Sequence, residues 1–339
     1  MCDCLVALRP ATRAGATIFA KNSDRPPAEA QPLEQHSPRR DDGPLQCTHI
    51  AVDPAPGETI GFVGSRPWWC WGVEHGVNDA GVAIGNEAIY TTLDPRTVPP
   101  ALIGMDLVRL GLERAATAAT AVEVMVDLLE RHGQGGTGHH GAERPYWSSF
   151  LVADGADAWV LETSGRTWAT ERVARSRAVS NRTTIPSFDA EHRHPRQPVA
   201  TLVDPRLDAS RAVLAAEPVR VDDVVAHLRS HVGEEGFTVC MHAGDVEATT
   251  ASMVVELAGT HPLARWLLGS PCTSVYVPVH VGRALGEPPA WERFVALQAE
   301  HRPALSRLEA ALVADVVDED AWGPEAWRRV DDVLAACGV

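Results

Sequence analysis

Strand-like and helix-like segments do not alternate along this chain; they come in blocks. Short apolar runs at residues 4–8 and 17–20 flank a turn-like stretch at 10–15 and read as a hairpin beginning at residue 2. Thr48, Ile50 and Val52 alternate as a half-buried strand does, and residues 59–63 and 82–84 extend the β block. Two helices follow. Residues 101–114 carry Leu102, Met105, Leu107, Leu110 and Leu112 at near-helical spacing, and residues 118–132 carry Ala121, Val122, Met125, Leu128 and Leu129. Thr117 is placed to cap the second helix and Gly133 to end it. Strands return at 149–153 and 158–162 around the turn 154–157, then at 167–173 and 178–180. A helix over 222–232, strands over 237–241, 251–257 and 274–281, and polar amphipathic helices over 290–336 complete the chain. Blocks of this kind do not supply the βαβ crossovers of a parallel sheet, so an α+β layered fold is expected. The expected division is one domain over 1–285 and a C-terminal helical extension over 286–339 packed on it.

Composition narrows the partners. The 339 residues include 45 acidic and 30 basic side chains, a formal charge of −15, which disfavours phosphate backbones and anionic lipid surfaces. Neither nucleic acid nor membrane is expected as a partner. The N-terminus lacks the layout of a secretion signal, and no window approaches the ~18 apolar residues of a membrane span, so a cytoplasmic location is expected. Seven cysteines, an odd and scattered set, are expected as free thiols. The glycine-rich 133–138 follows a helix and lacks the GK[ST] ending of a phosphate loop. No metal and no cofactor are expected: Cys2-x-Cys4 with His139, His140 and His242 has neither CxxC nor HExxH spacing. The polar C-terminal helices could pack on their own domain or on a second copy, giving a homo-oligomer.

Cys2 concentrates the chemistry. Removal of Met1, expected because the second side chain is small, leaves a thiol and a free α-amine on one residue. An α-amine titrates near 7.7–8.0 and a thiol near 8.5, so nucleophile and base are already together. The hairpin returns Lys21-Asn22-Ser23-Asp24 close to Cys2, where a carboxylate can orient the ammonium. Lys21 is the one lysine among 30 basic residues, a compact point charge where the chain otherwise uses arginine. Cys4 is expected on the opposite face of the strand from Cys2, as a small buried hydrophobe. Trp68, Trp69 and Trp71 could wall an apolar acyl pocket, and Arg66 could hold a substrate carboxylate or a structural salt bridge.

Several stretches together resemble the secernins. They are Cys2-Asp3-Cys4-Leu5-Val6-Ala7-Leu8, Phe19-Ala20-Lys21-Asn22-Ser23-Asp24-Arg25, Ser65-Arg66-Pro67-Trp68 with Trp71-Gly72, and Gly85-Asn86-Glu87-Ala88. The run from Gly104 to Arg114, Gly133-Gln134-Gly135-Gly136, Trp159-Val160-Leu161-Glu162-Thr163, Ser180-Asn181 and Thr249-Thr250-Ala251-Ser252-Met253 continue the likeness in order. Secernins are grouped with the C69 dipeptidases among the N-terminal nucleophile hydrolases. The resemblance therefore implies a four-layer αββα sandwich and amide hydrolysis through an acyl-enzyme on Cys2, acting on a dipeptide or other small molecule. It maps Lys21, Asn22 and Asp24 onto a basic-Asn-x-Asp motif, and Asn86 and Asn181 onto two asparagines that position substrate and form the oxyanion hole. An N-acyl amide hydrolase or acyltransferase like the penicillin V acylases, or a regulatory protein that keeps the fold without the chemistry, are the alternatives. Residues 186–215 match little in the resemblance.

Overall fold

A computed structural model describes residues 1–259, 261–316 and 322–339. The strands of the first half are β1 (Cys2–Ala7), β2 (Thr17–Arg25), β3 (Leu33–His36), β4 (Leu45–Gln46), β5 (Ala51–Val52), β6 (Phe62–Ser65), β7 (His75–Asn78) and β8 (Ala83–Ile89). Helices α1 (Gly104–Arg114) and α2 (Ala118–His132) precede β9 (Trp147–Ala153), β10 (Ala158–Ser164), β11 (Thr167–Arg172) and β12 (Ser176–Val179). Next come α3 (Pro186–His192), α4 (Val199–Leu202), α5 (Asp204–Ala215), α6 (Val221–Leu228), β13 (Gly233–Glu234), β14 (Phe237–Thr238) and β15 (His242–Ala243). The chain closes with β16 (Glu247–Leu257), β17 (Leu263–Leu268), β18 (Val277–His280), α7 (Trp291–Val295), α8 (Arg302–Asp315) and α9 (Trp322–Ala336).

Two antiparallel sheets carry the fold. The first runs β12-β1-β2-β16-β17-β18, with β15 added on β16; the second runs β11-β10-β9-β8-β7-β6-β3. They stack on each other with β1 against β8 and β9. Alternation decides which way each side chain faces. Cys4, Val6 and Phe19 enter the core between the sheets, whereas Leu5, Ala7, Ile18 and Ala20 pack under α5 and α6. On the far side α1 and α2 cover the second sheet. Helices, sheet, sheet, helices is the four-layer αββα sandwich.

The helices form where their sequence predicts. Thr117 accepts a hydrogen bond from the Thr120 N–H, and Gly133 ends α2 at φ 78°. Ala118, Ala121, Val122, Met125, Leu128 and Leu129 are its buried stripe, each large member contributing about 1.5–3 kcal/mol by leaving water. α1 starts at Gly104, later than the expected 101, because the Asp106 carboxylate accepts the Ile103 N–H at 3.2 Å and fixes the entry there. Other expectations shift more. The strand over 48–52 is reduced to β5, the loop 26–46 contains the edge strand β3, and β17 and the helices of 186–215 were not anticipated. α7, α8 and α9 place Trp291, Phe294, Leu305, Leu312 and Trp327 in the same apolar cluster as Trp266 and Val277 of the first sheet. Among the described residues no helix is long and apolar enough to cross a membrane.

Candidate active site

Cys2 opens the interior strand β1, flanked by β12 and β2 and paired directly with Ser23 of β2. Its backbone N–H donates to Asn181 Oδ1 at 2.8 Å, and its Sγ accepts from the Asp24 N–H at 3.4 Å. Both contacts follow from topology: β12, on the other side of β1, ends at Val179, which delivers Asn181 to the start of β1. A cleft of about 30 Å³ opens here, lined among others by Met1, Cys2, Asp24, Asn86, Tyr146 and Asn181. Met1 fills part of it, its ammonium paired with Glu247.

Asp24 sits where the β2–β16 register slips between Thr249 and Ala251. A bulge of this kind re-aims a side chain. The Asp24 Oδ1 accepts from Thr249 Oγ1 at 2.6 Å, and its Oδ2 is buried without a partner. Burial pushes the Asp24 carboxyl up to about 7, against the opposing pull of the chain's ammonium and Arg206. Burial likewise raises the Cys2 thiol to about 11, opposed chiefly by the Lys21 ammonium.

Lys21 is fully buried between the sheets. Its Nζ donates to the Asn86 carbonyl at 2.5 Å and lies 3.7 Å from Glu87 and 3.9 Å from Glu74. Burial pulls its titration down, but the neighbouring acidic groups, the Glu87 and Glu74 carboxylates among them, more than offset that and hold the ammonium above the ordinary lysine value. Glu74 is shared with Arg25, which also binds Glu29 at 2.6 Å. Three carboxylates thus face two cations. Burial pushes Glu87 up to about 7, against the pull of the Lys21 ammonium.

The expected residues separate into groups. Cys2, Asp24, Asn86 and Asn181 line one cleft, with Lys21 behind it. Asn22 does not join them. As the neighbour of Lys21 on a strand it faces the other way, where Nδ2 donates to the Leu228 and Val239 carbonyls and Oδ1 accepts from Ser252, so its role is to anchor the sheet to the segment beyond α6. Cys4 is buried as expected but on the same face as Cys2, since side chains two apart on a strand point alike. Arg66 is held by Glu34 at 2.6 and 2.8 Å and by the Trp68 and Cys70 carbonyls, the salt-bridge role rather than the substrate one. Trp68, Trp69 and Trp71 are not among the cleft's lining residues. Trp68 is half exposed beside His140, Trp69 packs behind Tyr146, and Trp71 stacks under Arg109 at 4.1 Å.

Asn86 and Asn181 present their amides differently. Asn86 Nδ2 is buried without a partner, beside Gly104, where an added Cβ would come within 3.3 Å of it. Asn181 Nδ2 donates one N–H to the Ala88 carbonyl at 3.0 Å, leaving its second free, while Oδ1 accepts from Cys2 and from Arg206 at 2.9 Å. Arg206 was not visible in the sequence. It comes from the buried side of α5, bonds Asp3 at 2.5 Å, and no apolar periodicity marks it. Tyr146, His139 and Glu247 were equally silent; burial lowers His139 to about 4, so it is neutral.

A thiol at the start of an interior strand of a stacked-sheet sandwich, beside a buried carboxylate, defines the class: this chain has the fold of the N-terminal nucleophile hydrolases. Residues 70–204 match the model of peptidase family C69, a stretch that contains Asn86 and Asn181. Among solved structures, a cysteine-to-alanine mutant of conjugated bile acid hydrolase from Clostridium perfringens superposes with a TM-score of 0.53 at 10% identity, covering 83% of this chain and 93% of that one. The Caenorhabditis elegans orthologue of N-acylethanolamine-hydrolyzing acid amidase gives a TM-score of 0.45 at 13% identity, over 75% of this chain and 92% of that one.

Proposed function

We propose that this chain is an N-terminal cysteine hydrolase that cleaves the C–N amide bond of a dipeptide-like substrate, as the secernin resemblance implies, after Met1 is removed. The observation that carries the reading is the convergence on Cys2: its nitrogen on Asn181 Oδ1, its sulfur on the Asp24 N–H, and the unpartnered Asp24 Oδ2 in one cleft. With Met1 attached the Cys2 nitrogen is an amide and cannot accept a proton. Removal frees it as an amine and vacates the part of the cleft that Met1 fills.

In the proposed reaction the Cys2 thiol gives its proton to its own α-amine and the sulfur attacks the substrate carbonyl carbon, whose π electrons move to oxygen. The free N–H of Asn181 and the unpartnered Asn86 amide stabilise that oxyanion. Lys21 supplies fixed positive charge behind the thiol. Asp24 holds the ammonium, which then protonates the leaving nitrogen as the C–N bond breaks. Water hydrolyses the thioester and restores the thiol.

The neighbouring groove supports a substrate class. A cavity of about 460 Å³ shares Tyr90 with the cleft and is lined by Arg96, Arg144 and Arg196. Arg96 is bound to Asp94, but among the described residues Arg144 and Arg196 have no ion-pair partner. Two unengaged guanidiniums beside a small acyl site favour a short substrate with a free carboxylate. The test is a panel of dipeptides and N-acyl amino acids against the same compounds with amidated C-termini, run with the Cys2→Ala protein as control. Cleavage of the free acids by the unmodified protein alone supports the reading; equal turnover by Cys2→Ala contradicts it.

A further inference from the structure

We propose that His231, Cys240, His242 and Cys272 form a tetrahedral zinc site that clamps the wall behind Asn22 and Asp24. One ligand atom from each of the four lies within 4.8 Å of the others. His242 Nε2 is 3.5 Å from Cys240 Sγ and 3.2 Å from Cys272 Sγ, and the His231 and His242 rings meet edge-on at 5.1 Å. Around zinc, with bonds of ~2.3 Å to sulfur and ~2.0–2.1 Å to nitrogen, neighbouring S and N ligands stand about 3.6 Å apart. The two distances from His242 Nε2 to sulfur are close to that edge length, and small side-chain adjustments within the 4.8 Å cluster bring the remaining ligands to it.

The donor set selects the ion. Two thiolates and two neutral imidazoles suit zinc and not calcium or magnesium, which take oxygen. Two thiolate charges balance the dication, and binding releases to solvent whatever protons the two sulfurs carry. Four protein ligands fill the coordination shell, the mark of a structural rather than a catalytic site.

Local structure supplies the reason for a clamp. His231 follows α6, Cys240 lies between β14 and β15, His242 opens β15 on the other side of Met241, and Cys272 sits in the turn where Thr273 and Ser274 donate to the Ser270 carbonyl. Regular structure in the segment from 229 to 246 is confined to two-residue strands, and His231 and His242 are exposed. Yet this segment positions the site. The Met241 N–H donates to Thr249 Oγ1 at 2.8 Å, Thr249 donates to Asp24 at 2.6 Å, and Asn22 donates to the Val239 carbonyl at 2.8 Å. A metal on Cys240 and His242 would fix Met241 from both sides.

The proposal does not depend on the hydrolase reading, and its test reads metal rather than turnover. Full-length protein is purified without chelator from zinc-supplemented cells, its metal content is measured, and zinc is then exchanged for cobalt(II). About one zinc per chain is expected, with an intense visible cobalt spectrum of tetrahedral thiolate type. Cys2→Ala should keep both, whereas Cys272→Ser and His242→Ala should lose them. A chelator should lower the melting temperature of the unmodified protein and leave that of Cys272→Ser unmoved. Should Cys272→Ser fail to fold, the cobalt spectrum of the unmodified protein decides. Protein that binds neither metal, or peptide mapping that finds Cys240 and Cys272 joined as a disulfide, overturns the proposal.

Discussion

Asn181 does two jobs at once: its oxygen fixes Cys2 and Arg206, and its nitrogen keeps one N–H free. Asn181→Asp separates them, since the carboxylate still accepts from both donors but offers no N–H. A fall in kcat of ~10²–10³ is the expected outcome, the usual loss for one oxyanion donor, together with a lowered melting temperature because the Ala88 carbonyl loses its donor; kcat near that of the unmodified protein would contradict the assignment. Asp24 sets the pH dependence. It holds the ammonium only when ionised, and burial has moved its titration up to about 7, so kcat/KM should rise with pH through about 7 or somewhat below, and Asp24→Asn should flatten that limb. A pH–rate profile measured on both proteins checks it. Of these residues, Cys2, Lys21, Asp24, Asn86 and Asn181 were legible because each sits in a distinctive stretch. Asn22 was misplaced in role because strand alternation turns it to the other face, and Arg206 was invisible because a buried arginine on a helix has no local signature.

At the level of elements, the site depends on how closely β8 approaches β1 and β2. A Cβ on Gly85 would stand 2.7 Å from Lys21 Cδ and 2.8 Å from Cys4 Sγ, wedged between the sheets. Gly85→Ala should destabilise by about 1–3 kcal/mol, the usual cost of overpacking, and displace the lysine that supports Cys2. Urea unfolding measures the first effect and kcat the second; a fully stable, fully active variant would show that the sheets are not in the contact described. Elements with clean periodicity were readable from sequence: the β1–β2 and β9–β10 hairpins and α2 with both caps. β3, β17 and α3 to α5 were not. β3 lies at a sheet edge in a proline- and charge-rich stretch, and α5 buries an arginine and a serine beside Leu207 and Leu214, which breaks its apolar stripe.

Across the whole molecule, the C-terminal helices share a core with the first sheet. Trp322 donates from its indole to the Pro278 carbonyl, and Trp291 donates to the Thr250 carbonyl, next to the Thr249 that holds Asp24. Removing residues 286–339 strips apolar cover from β17 and β18, and the shortened chain should fail to reach a cooperatively folded state. A truncated protein with a sharp thermal transition would instead make 1–285 an independent unit. The central claim rests at the other end of the chain. Protein is treated with increasing thiol alkylator, its N-terminal peptide and its Cys272 and Cys337 peptides are quantified by mass spectrometry, and hydrolysis is followed in parallel. The account predicts an N-terminal peptide that begins with Cys2, and loss of hydrolysis in step with modification of that residue alone. Active protein that retains Met1, or hydrolysis that survives complete modification of Cys2, would contradict it.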